Sequence, residues 1–349
     1  KCYTTWEVPI YPNMYIVLVG PAGSRKGTAM RPAKDLLEAL GVKMAAEAIT
    51  REMLIRELAS ALESEPNEEK GVDMHCSLTI FSEELSVFIG QNQWELISNL
   101  CNWYDCSDRW TYRTKHQGDD EIYGVWVNLF GATTPDYLRT SLPEDAIGGG
   151  LSSRMVFIYG DQKEHLDIFP FLNKDKTIMR GDLTHDLRRI NMLRGEFKMS
   201  QDFMDAYAKW YTHTDQNPPF EEKFMLGYNE RRATHIRKLT MVMSASRSDD
   251  MTLRAADFER ARVALEDAEK DMLRVFKGRG RLKDSDIVED IVYLLRAHRK
   301  VSTEDIMKRY YKDIDTDTLD KLVVSLQRAG LCKMSVRGGD TILTYTGKG

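Results

Sequence analysis

The sequence has no apolar run long enough to cross a membrane, and it has few cysteines. A membrane-spanning helix needs ~20 consecutive apolar residues, and no stretch of the 349-residue chain approaches that length. We also find no secretory signal. The five cysteines are an odd number in a long chain, which does not fit a disulfide framework. We therefore expect a soluble cytoplasmic protein with reduced thiols and no membrane partner.

The sequence also lacks an excess of basic residues and a zinc-binding pattern. Its 49 Lys and Arg against 54 Asp and Glu give a formal net charge of −5. A nucleic-acid partner therefore requires a local basic patch, because the average charge repels phosphate. Cysteines and histidines occur between residues 75 and 116, but without a C-x-x-C pair we interpret them as buried side chains rather than zinc ligands. The length suffices for two or three domains.

The most informative segment is a glycine-bearing turn after an apolar run. Residues 15–19 (YIVLV) predict a buried strand, and residues 20–28 (GPAGSRKGT) then lead into a predicted helix. A strand, a glycine turn, a lysine and a helix start together form a phosphate cradle, because backbone N–H groups and the helix N-terminus attract anions. This candidate phosphate loop consists of Gly20, Pro21, Ala22, Gly23, Ser24, Arg25, Lys26, Gly27 and Thr28.

The loop departs from the standard pattern G-x-x-x-x-G-K-[ST] at two positions. Gly20 and Lys26 keep the spacing, but Arg25 replaces the glycine before the lysine and Gly27 replaces the hydroxyl residue after it. We expect Lys26 to bind the β- and γ-phosphates of ATP. Thr28 stands one place late and is the expected Mg²⁺ ligand of this segment. The alternative is an ordinary turn with a solvated lysine.

A second apolar run ends in two acidic residues. Residues 78–82 (LTIFS) precede Glu83 and Glu84, as a magnesium-dependent NTPase requires. Glu83, which stands where an aspartate is usual, would hold the hydrated metal ion, and Glu84 would orient and deprotonate the attacking water. The alternative is that both glutamates are solvated at the start of the next helix, where negative charge is favourable.

Two later segments complete the candidate site. Residues 125–134 (VWVNLFGATT) end in two threonines, and ligands of parallel sheets bind at the carboxyl ends of strands. Thr133 or Thr134 can then touch the γ-phosphate, although Thr134 can equally cap the helix that begins at Pro135. Residues 148–157 (GGGLSSRMVF) place Arg154 before an apolar strand. An arginine there can stabilise transition-state charge across a subunit boundary, and a surface salt bridge is the alternative.

In order, GPAGSRKGT, TIFSEE, NLFGATTPDYL and GGGLSSRMVF resemble the phosphate loop, acidic strand, first sensor strand and arginine finger of AAA+ ATPases. More narrowly, they resemble the phage and prophage primase-helicase-like ATPases related to superfamily 3 helicases. The resemblance covers about residues 10–275. It implies an α/β P-loop core with a parallel sheet and a helical lid, a hexameric ring, and ATP and Mg²⁺ at sites shared between neighbours. The matching positions are Lys26, Thr28, Glu83, Glu84, Thr133 and Arg154.

The resemblance also implies further contacts with nucleotide and DNA. A basic residue of the helical lid often reaches the nucleotide in this family, and Arg232 or Lys238 matches it. In the helicase-like branch a hairpin between the acidic and sensor strands grips DNA in the central pore. The hairpin predicted over residues 110–127 carries Arg113, Lys115 and His116 near its tip, where they can meet phosphates. Acidic residues follow at once, so an ordinary solvated hairpin is the alternative.

Local patterns predict the remaining organisation. We expect a core over residues 1–163, a helical lid over 164–276, a basic linker over 277–283 and a winged-helix domain over 284–349, with three helices before a two-stranded wing. Candidate DNA contacts in the linker and wing are Arg279, Arg281, Lys283 and Arg337. A protein-docking role for this last domain is the alternative.

Four finer expectations concern the core. Residues 42–45 predict a short strand, and residues 62–73, acidic and containing a proline, predict a surface loop. Residues 84–104 predict a helix that Gly90 interrupts. Residues 117–120 predict a turn, and residues 121–130 predict one long strand.

Together these inferences predict a ring-forming ATPase that moves on or unwinds DNA during replication of a phage or mobile element, in a bacterial or phage-infected cell. Its partners would be further copies of itself, single-stranded or forked DNA, and replication proteins. Two alternatives remain open. One is an AAA+ loader or switch that remodels a protein partner without unwinding DNA. The other is a monomeric P-loop phosphotransferase, which needs neither Arg154 nor a winged tail.

Overall fold

The computed structural model describes residues 1–67, 71–90, 93–114, 118–141, 150–161, 175–276, 285–311, 314–337 and 340–346. The chain divides into two compact units, residues 1–277 and residues 278–349. The predicted boundary at residue 163 and the predicted linker over 277–283 lie outside the described residues. Both stay predictions.

The first unit alternates strands and helices. Its strands are β1 (Cys2–Thr5), β2 (Pro9–Ile10), β3 (Tyr15–Val19), β4 (Leu62–Asn67), β5 (Gly71–Ser82), β6 (Arg109–Thr114), β7 (Gly118–Tyr123), β8 (Val125–Thr133), β9 (Met155–Tyr159), β10 (Gly195–Glu196), β11 (Lys198–Met199) and β12 (Thr252–Leu253). Its helices are α1 (Lys26–Ala39), α2 (Arg51–Ser60), α3 (Leu85–Ile89), α4 (Trp94–Tyr104), α5 (Pro135–Ser141), α6 (Asp175–Asn191), α7 (Gln201–Gln216), α8 (Leu226–Arg247), α9 (Ala255–Lys270) and α10 (Met272–Val275).

A five-stranded sheet of described residues, in the order β4-β5-β8-β3-β9, positions the candidate site. Strand β3 pairs parallel with β8 and with β9, and β8 pairs parallel with residues 76–82 of β5. Val19 stands opposite Thr133 and Tyr159. The carboxyl ends of β3, β8 and β5 therefore lie at one edge of the sheet, and the α/β class expected from the sequence is confirmed.

Side chains of the sheet and of the following helices share one hydrophobic core. Tyr15 and Val17 of β3 belong to the same buried cluster as Tyr228 and Ile236 of α8. Tyr15, Val17 and Val19 of β3 are buried and the alternate residues are only partly buried, so one face of this strand is covered more completely than the other. Helix α2 begins after Thr50, whose hydroxyl accepts a hydrogen bond from the backbone N–H of Met53.

The segment over residues 62–73 corrects a prediction. It was expected to be a surface loop, but β4 and the start of β5 form an antiparallel hairpin in which Leu62 stands opposite Cys76 and Asn67 opposite Gly71. Charged residues and proline are common on exposed edge strands, where they discourage pairing with other chains. The acidic composition therefore indicated exposure correctly and secondary structure wrongly. The short strand expected at 42–45 is a single parallel bridge between Met44 and Thr79.

The second hairpin also differs in detail from its prediction. Strands β6 and β7 pair antiparallel, with Arg109 opposite Tyr123. The long strand expected over 121–130 is interrupted at Gly124, where φ is +52° and a Cβ would lie 2.5 Å from the carbonyl oxygen of Met74. The predicted turn residues Gly118 to Asp120 belong to β7, because the strands pair closer to the tip than their composition indicates. The interruption expected at Gly90, between α3 and α4, is present.

The described part of the second unit contains three helices and a three-stranded antiparallel sheet. The helices are α11 (Ser285–His298), α12 (Thr303–Tyr310) and α13 (Thr316–Arg328). The strands β13 (Lys300–Ser302), β14 (Cys332–Arg337) and β15 (Asp340–Tyr345) are ordered β13-β15-β14. The sequence did not predict β13. In neither unit does a described helix combine the length and apolarity that a membrane span requires.

Candidate active site

The candidate phosphate loop leaves the sheet through a space that admits only glycine. The N–H of Gly20 donates to the carbonyl oxygen of Thr133 at 3.3 Å, and the N–H of Gly160 donates to the carbonyl of Val19 at 2.9 Å. A Cβ on Gly20 would stand 2.2 Å from the carbonyl oxygen of Gly160. Strands β8 and β9 therefore enclose the start of the loop on both sides.

Two residues of the loop have left-handed backbone conformations. Gly23 has φ +80° and Arg25, which precedes α1, has φ +62°. A residue with a Cβ is strained in this region by roughly 1–2 kcal/mol, whereas glycine is not. The structure thus explains why the standard pattern has glycine where this chain has Arg25. The loop keeps the required backbone despite the substitution.

Lys26 points its ammonium group into the loop. Its Nζ donates to the carbonyl oxygens of Gly20 at 2.8 Å and Pro21 at 3.0 Å, and it lies 3.4 Å from Oγ of Ser24. Burial lowers the pKa of Lys26, and the negative charge of Glu84 opposes that shift. The ammonium group therefore lies on the concave side of the loop, where the negative charge of Glu84 attracts it.

A cleft of ≈ 680 Å³, open to solvent, runs along the start of α1 and is lined on its other side by Glu83. The side chains of Thr28 and Glu83 are both exposed there. A Cβ on Gly27 would stand 3.1 Å from Oε2 of Glu83. The Glu83 carboxylate therefore lies against the first turn of α1, in the same cleft as Thr28. The residues that line the cleft are Arg25, Gly27, Thr28, Arg31, Lys34, Asp35, Glu38 and Glu83.

Glu84 lies at the same edge of the sheet, immediately before α3. It is exposed, and its Oε1 accepts a hydrogen bond from Oγ of Ser86 at 2.8 Å. The strand register places Ser82 opposite Gly131 of β8, which in turn stands opposite Val17 of β3. Two residues further along β8 and β3, Thr133 stands opposite Val19, and Glu84 follows Ser82, the last residue of β5, by two positions. The acids and the loop are thus brought together.

The two threonines at the end of β8 have different roles in the structure. Oγ1 of Thr134 accepts a hydrogen bond from the N–H of Tyr137 at 3.4 Å, so Thr134 caps α5. Thr133 is fully buried, and its Oγ1 has no hydrogen-bond partner in the described part of the chain. A buried hydroxyl without a partner costs roughly 1–3 kcal/mol. Strand β8, which ends in Thr133, lies between β3 and the acidic strand β5, and the sensor role of Thr133 stays a prediction.

Arg154 does not lie near the loop of its own chain. It precedes β9, whose first residue Met155 stands opposite Tyr15 at the start of β3. The loop follows the other end of β3, ~16 Å away at 3.3 Å per strand residue. The guanidinium donates to the carbonyl of Gly150 at 2.7 Å and to Oδ2 of Asp105 at 3.2 Å.

The prediction that Arg232 or Lys238 reaches the nucleotide is corrected by their contacts. Arg232 forms a buried bidentate pair with Glu269, at 2.7 and 2.8 Å. Lys238 is 3% exposed and donates to Oδ1 of Asn13. Asn13 precedes β3, at the edge of the sheet opposite the loop. Helical spacing placed both cations on α8 correctly, but it did not show which elements pack against them.

The candidate DNA-binding residues are only partly described. Arg113 lies on β6 and pairs with Asp119 of β7 at 3.0 Å, with both side chains exposed. Arg337 ends β14, and its backbone pairs with Asp340. Lys115, His116, Arg279, Arg281 and Lys283 lie outside the described residues, so their roles stay predictions.

The sequence analysis missed two cations in the cleft. Arg31 and Lys34 both line it, and Lys34 also pairs with Glu47 at 2.8 Å. A signal was present, because Arg31 follows Thr28 by three residues and Lys34 follows Arg31 by three, which places them along one side of a helix.

Comparison with known proteins gives no family. No protein-family model matches this chain, and a search of the curated proteins finds no match. The geometry of the site therefore carries the functional argument.

Proposed function

We propose that this chain is a magnesium-dependent ATP hydrolase that works as a hexameric ring and moves on or unwinds DNA. The observation that carries the proposal is the convergence of Lys26, Thr28, Glu83 and Glu84 at the carboxyl edge of a parallel sheet. A glycine turn between a central strand and a helix is the arrangement that binds phosphate groups.

The charges of the site fit ATP and Mg²⁺. Phosphates would lie in the loop, held by its backbone N–H groups and by Lys26, with Arg25 and Arg31 lining the cleft beside it. Carboxylate and hydroxyl oxygens suit Mg²⁺, and Glu83 and Thr28 present both at the first turn of α1. The bound metal ion would neutralise charge on the phosphate oxygens.

The remaining residues of the edge would act on water and on the γ-phosphate. Glu84 is exposed, and its carboxylate would accept a proton from the attacking water. Thr133 would donate its hydroxyl, which lacks a partner in the described part of the chain, toward the γ-phosphate. Ser86 holds the Glu84 carboxylate by a hydrogen bond and would orient it.

The position of Arg154 supports a site shared between copies. It lies at the edge of the sheet opposite the loop, so it cannot reach the phosphates of its own chain. A head-to-tail ring joins two different surfaces of the chain, so the loop of one copy would face the surface of its neighbour that carries Arg154. Arg154 would then stabilise charge on the neighbour's γ-phosphate. A monomeric phosphotransferase would not need this arginine for its reaction.

The DNA-directed part of the proposal rests on two features. The β6–β7 hairpin lies in the chain between the acidic strand and β8, where the resembling helicases carry their pore hairpin. The second unit has the helices and antiparallel sheet expected of a winged-helix domain. We propose that the hairpin contacts DNA in the ring and that the second unit supports DNA or partner binding.

One observation favours the alternative of a protein-remodelling AAA+ switch. Arg113 is paired with Asp119, so one of the expected hairpin cations is already neutralised. Replacing Lys115 and His116 with alanine separates the two functions. A DNA motor would lose its DNA-stimulated ATPase activity, whereas a remodeller would keep the activity of the wild type.

The proposal is tested by ATPase assays with and without Mg²⁺ and single-stranded DNA. We expect metal-dependent hydrolysis that DNA stimulates, and its loss in Glu84→Gln. The matched control is Glu304→Gln, an exposed glutamate of α12 that pairs with Lys308 and should keep full activity. Absence of ATP hydrolysis, or equal activity of Glu84→Gln and wild type, would overturn the enzymatic proposal. Hydrolysis that DNA leaves unchanged would overturn the DNA-motor part alone.

A further inference from the structure

Two arginines from different elements hold one carboxylate at the edge of the sheet opposite the loop. Arg154, before β9, donates to Oδ2 of Asp105 at 3.2 Å. Arg231, on α8, donates to Oδ1 of the same group at 3.3 Å. Asp105 immediately follows α4. Each carboxylate oxygen thus receives one guanidinium, and the residues involved are 49 and 126 positions from Asp105 in the chain.

The surroundings of this carboxylate carry more positive than negative charge. The centre of each guanidinium lies 6.0 Å from the ring centroid of Tyr104, and Nζ of Lys238 lies 4.1 Å from it. His235, about one turn after Arg231 on α8, is fully buried, and burial lowers its pKa to about 4. It is therefore neutral at pH 7. Burial raises the pKa of the nearby Cys101 thiol, which stays neutral too. Asp105 thus faces the charges of Arg154, Arg231 and Lys238, and a more negative anion would be favoured over it.

The arginines are fixed, whereas the carboxylate is accessible. The side chain of Arg154 is 13% exposed and that of Arg231 is 28% exposed, against 55% for Asp105. Arg154 also donates to the carbonyl of Gly150, and its Nε is buried without a partner in the described part of the chain. The cationic side of the contact is therefore preorganised, and Asp105 covers it from the solvent side.

We propose that Arg154 and Arg231 form a two-guanidinium site for a phosphate group. In the free chain Asp105 occupies this site. In the ring, the terminal phosphate of ATP bound to a neighbouring copy occupies it. This inference rests on the proposed function and adds to it. Arg231 becomes a second catalytic arginine, and Asp105 becomes a built-in competitor of the ligand. Guanidinium groups bind phosphate oxygens as forked donors, and phosphate carries more negative charge than a carboxylate.

The replacement of Asp105 by a phosphate group at the two arginines would regulate the site. In a free chain the arginines are neutralised by Asp105 and unavailable. When a neighbour presents a triphosphate, Asp105 is displaced toward solvent, where a half-exposed carboxylate is readily hydrated. Hydrolysis removes the terminal phosphate and allows Asp105 to return. The contact would thus favour release of the neighbour after each turnover.

The role of Arg231 is tested by mixing inactive variants. Arg231→Ala should lower kcat by roughly 10²-fold, as removal of one charged donor in a transition state does, and Glu84→Gln should be inactive. In mixed rings, a site with its loop from an Arg231→Ala copy and its arginines from a Glu84→Gln copy is complete. We therefore expect the mixture to exceed both parents. Full activity of Arg231→Ala, or a mixture no better than the average of its parents, would overturn the assignment.

Two further variants guard against a merely structural effect. Arg231→Lys keeps the charge and loses the fork, and its activity should fall between those of wild type and Arg231→Ala. Arg189→Ala is the matched control, since Arg189 also pairs with an aspartate, Asp249, on the surface. It should leave the ATPase activity unchanged.

The competitor role of Asp105 is tested without ATP hydrolysis, by thermal unfolding in inorganic phosphate. Phosphate should raise the Tm of Asp105→Asn more than that of the wild type, and the double variant Asp105→Asn/Arg231→Ala should lose the added rise. Asp249→Asn is the control and should respond as the wild type does. Equal responses of all variants would overturn the phosphate site.

If phosphate binds as expected but the wild type never hydrolyses ATP, the proposed function fails and the anion site stands. If the wild type hydrolyses ATP and Arg231→Ala does so equally, only this inference fails.

Discussion

The carboxylate of Glu83 lies against Gly27 at the first turn of α1, so close that a Cβ on the glycine would be 3.1 Å from Oε2. These are two of the positions at which the chain departs from the usual nucleotide-site pattern. A glutamate is longer than the usual aspartate, and a glycine leaves the space that a hydroxyl side chain would fill. We therefore expect the two departures to compensate for each other, with Glu83 taking the place of the missing hydroxyl.

This compensation predicts the behaviour of a double-mutant cycle. Gly27→Ala should push the Glu83 carboxylate away and raise the Mg²⁺ concentration needed for half-maximal ATPase activity, by roughly tenfold for a ~1.4 kcal/mol loss. The shorter acid in the double variant Gly27→Ala/Glu83→Asp should restore part of the lost Mg²⁺ binding. The measurement is ATPase rate against Mg²⁺ concentration. An unchanged metal requirement in Gly27→Ala, or two substitutions whose effects simply add, would contradict the compensation.

The left-handed backbone at Arg25 predicts an order of stabilities. Arg25→Gly removes the backbone strain but increases the conformational entropy of the unfolded chain. These two effects nearly cancel, so the unfolding free energy of the variant should lie within about 1 kcal/mol of the wild-type value. Arg25→Val should destabilise by more than about 1 kcal/mol, because β-branched residues are poorly accommodated at positive φ. Urea unfolding followed by tryptophan fluorescence checks this, since all six tryptophans precede residue 277. Equal stability of the valine and arginine forms would show that the loop does not hold this conformation.

The close approach at Gly20 predicts a backbone clash. In Gly20→Ala the methyl group would meet the carbonyl of Gly160 at 2.2 Å, and neither strand can move without losing hydrogen bonds. We expect a loss of unfolding free energy of at least ~2 kcal/mol, the range of overpacked cores. The control is Gly181→Ala, on helix α6 with nothing within 4 Å of the added Cβ, which should be neutral or stabilising. Similar unfolding curves for the two variants would argue against the described exit of the loop.

The buried ammonium of Lys238 predicts a dependence of stability on pH. Burial lowers the pKa of Lys238 from 10.5 to about 8. Between these values the unfolded chain binds more protons than the folded one, so unfolding free energy rises with pH over that window. Lys238→Met cannot titrate and should lack this component. The difference between wild type and Lys238→Met should therefore change between pH 7.5 and 10, in favour of the wild type. A constant difference would contradict the lowered pKa.

The sequence predicted the parts of the fold that depend on local pattern. The apolar run of β3 and the break at Gly90 each follow from residues close together in the chain. The hairpin over residues 62–73 was missed because edge strands tolerate the acids and proline that also mark loops. Strand pairing depends on a distant partner, and composition alone does not reveal it.

The sequence predicted which residues form the candidate site better than it predicted how those residues are arranged. Gly20, Lys26, Glu83 and Glu84 were found from spacing, and the parallel register then brings them to one edge. The resemblance implied that Arg232 or Lys238 reaches the nucleotide, although Lys238 lies at the opposite edge of the sheet, because a matching position in a helix does not show which element packs against it. The contacts of Glu83 with Gly27, and of Arg154 and Arg231 with Asp105, join segments whose proximity only the tertiary structure gives.

The central claim is that one ATP is held by Lys26 of one copy and Arg154 of the next. The most direct measurement is the ATPase activity of Lys26→Ala and Arg154→Ala, each alone and then mixed in equal amounts. The account predicts that each variant is inactive alone and that the mixture recovers activity, because some interfaces then combine an intact lysine with an intact arginine. A mixture as inactive as its parents, or an Arg154→Ala variant as active as the wild type, would contradict it.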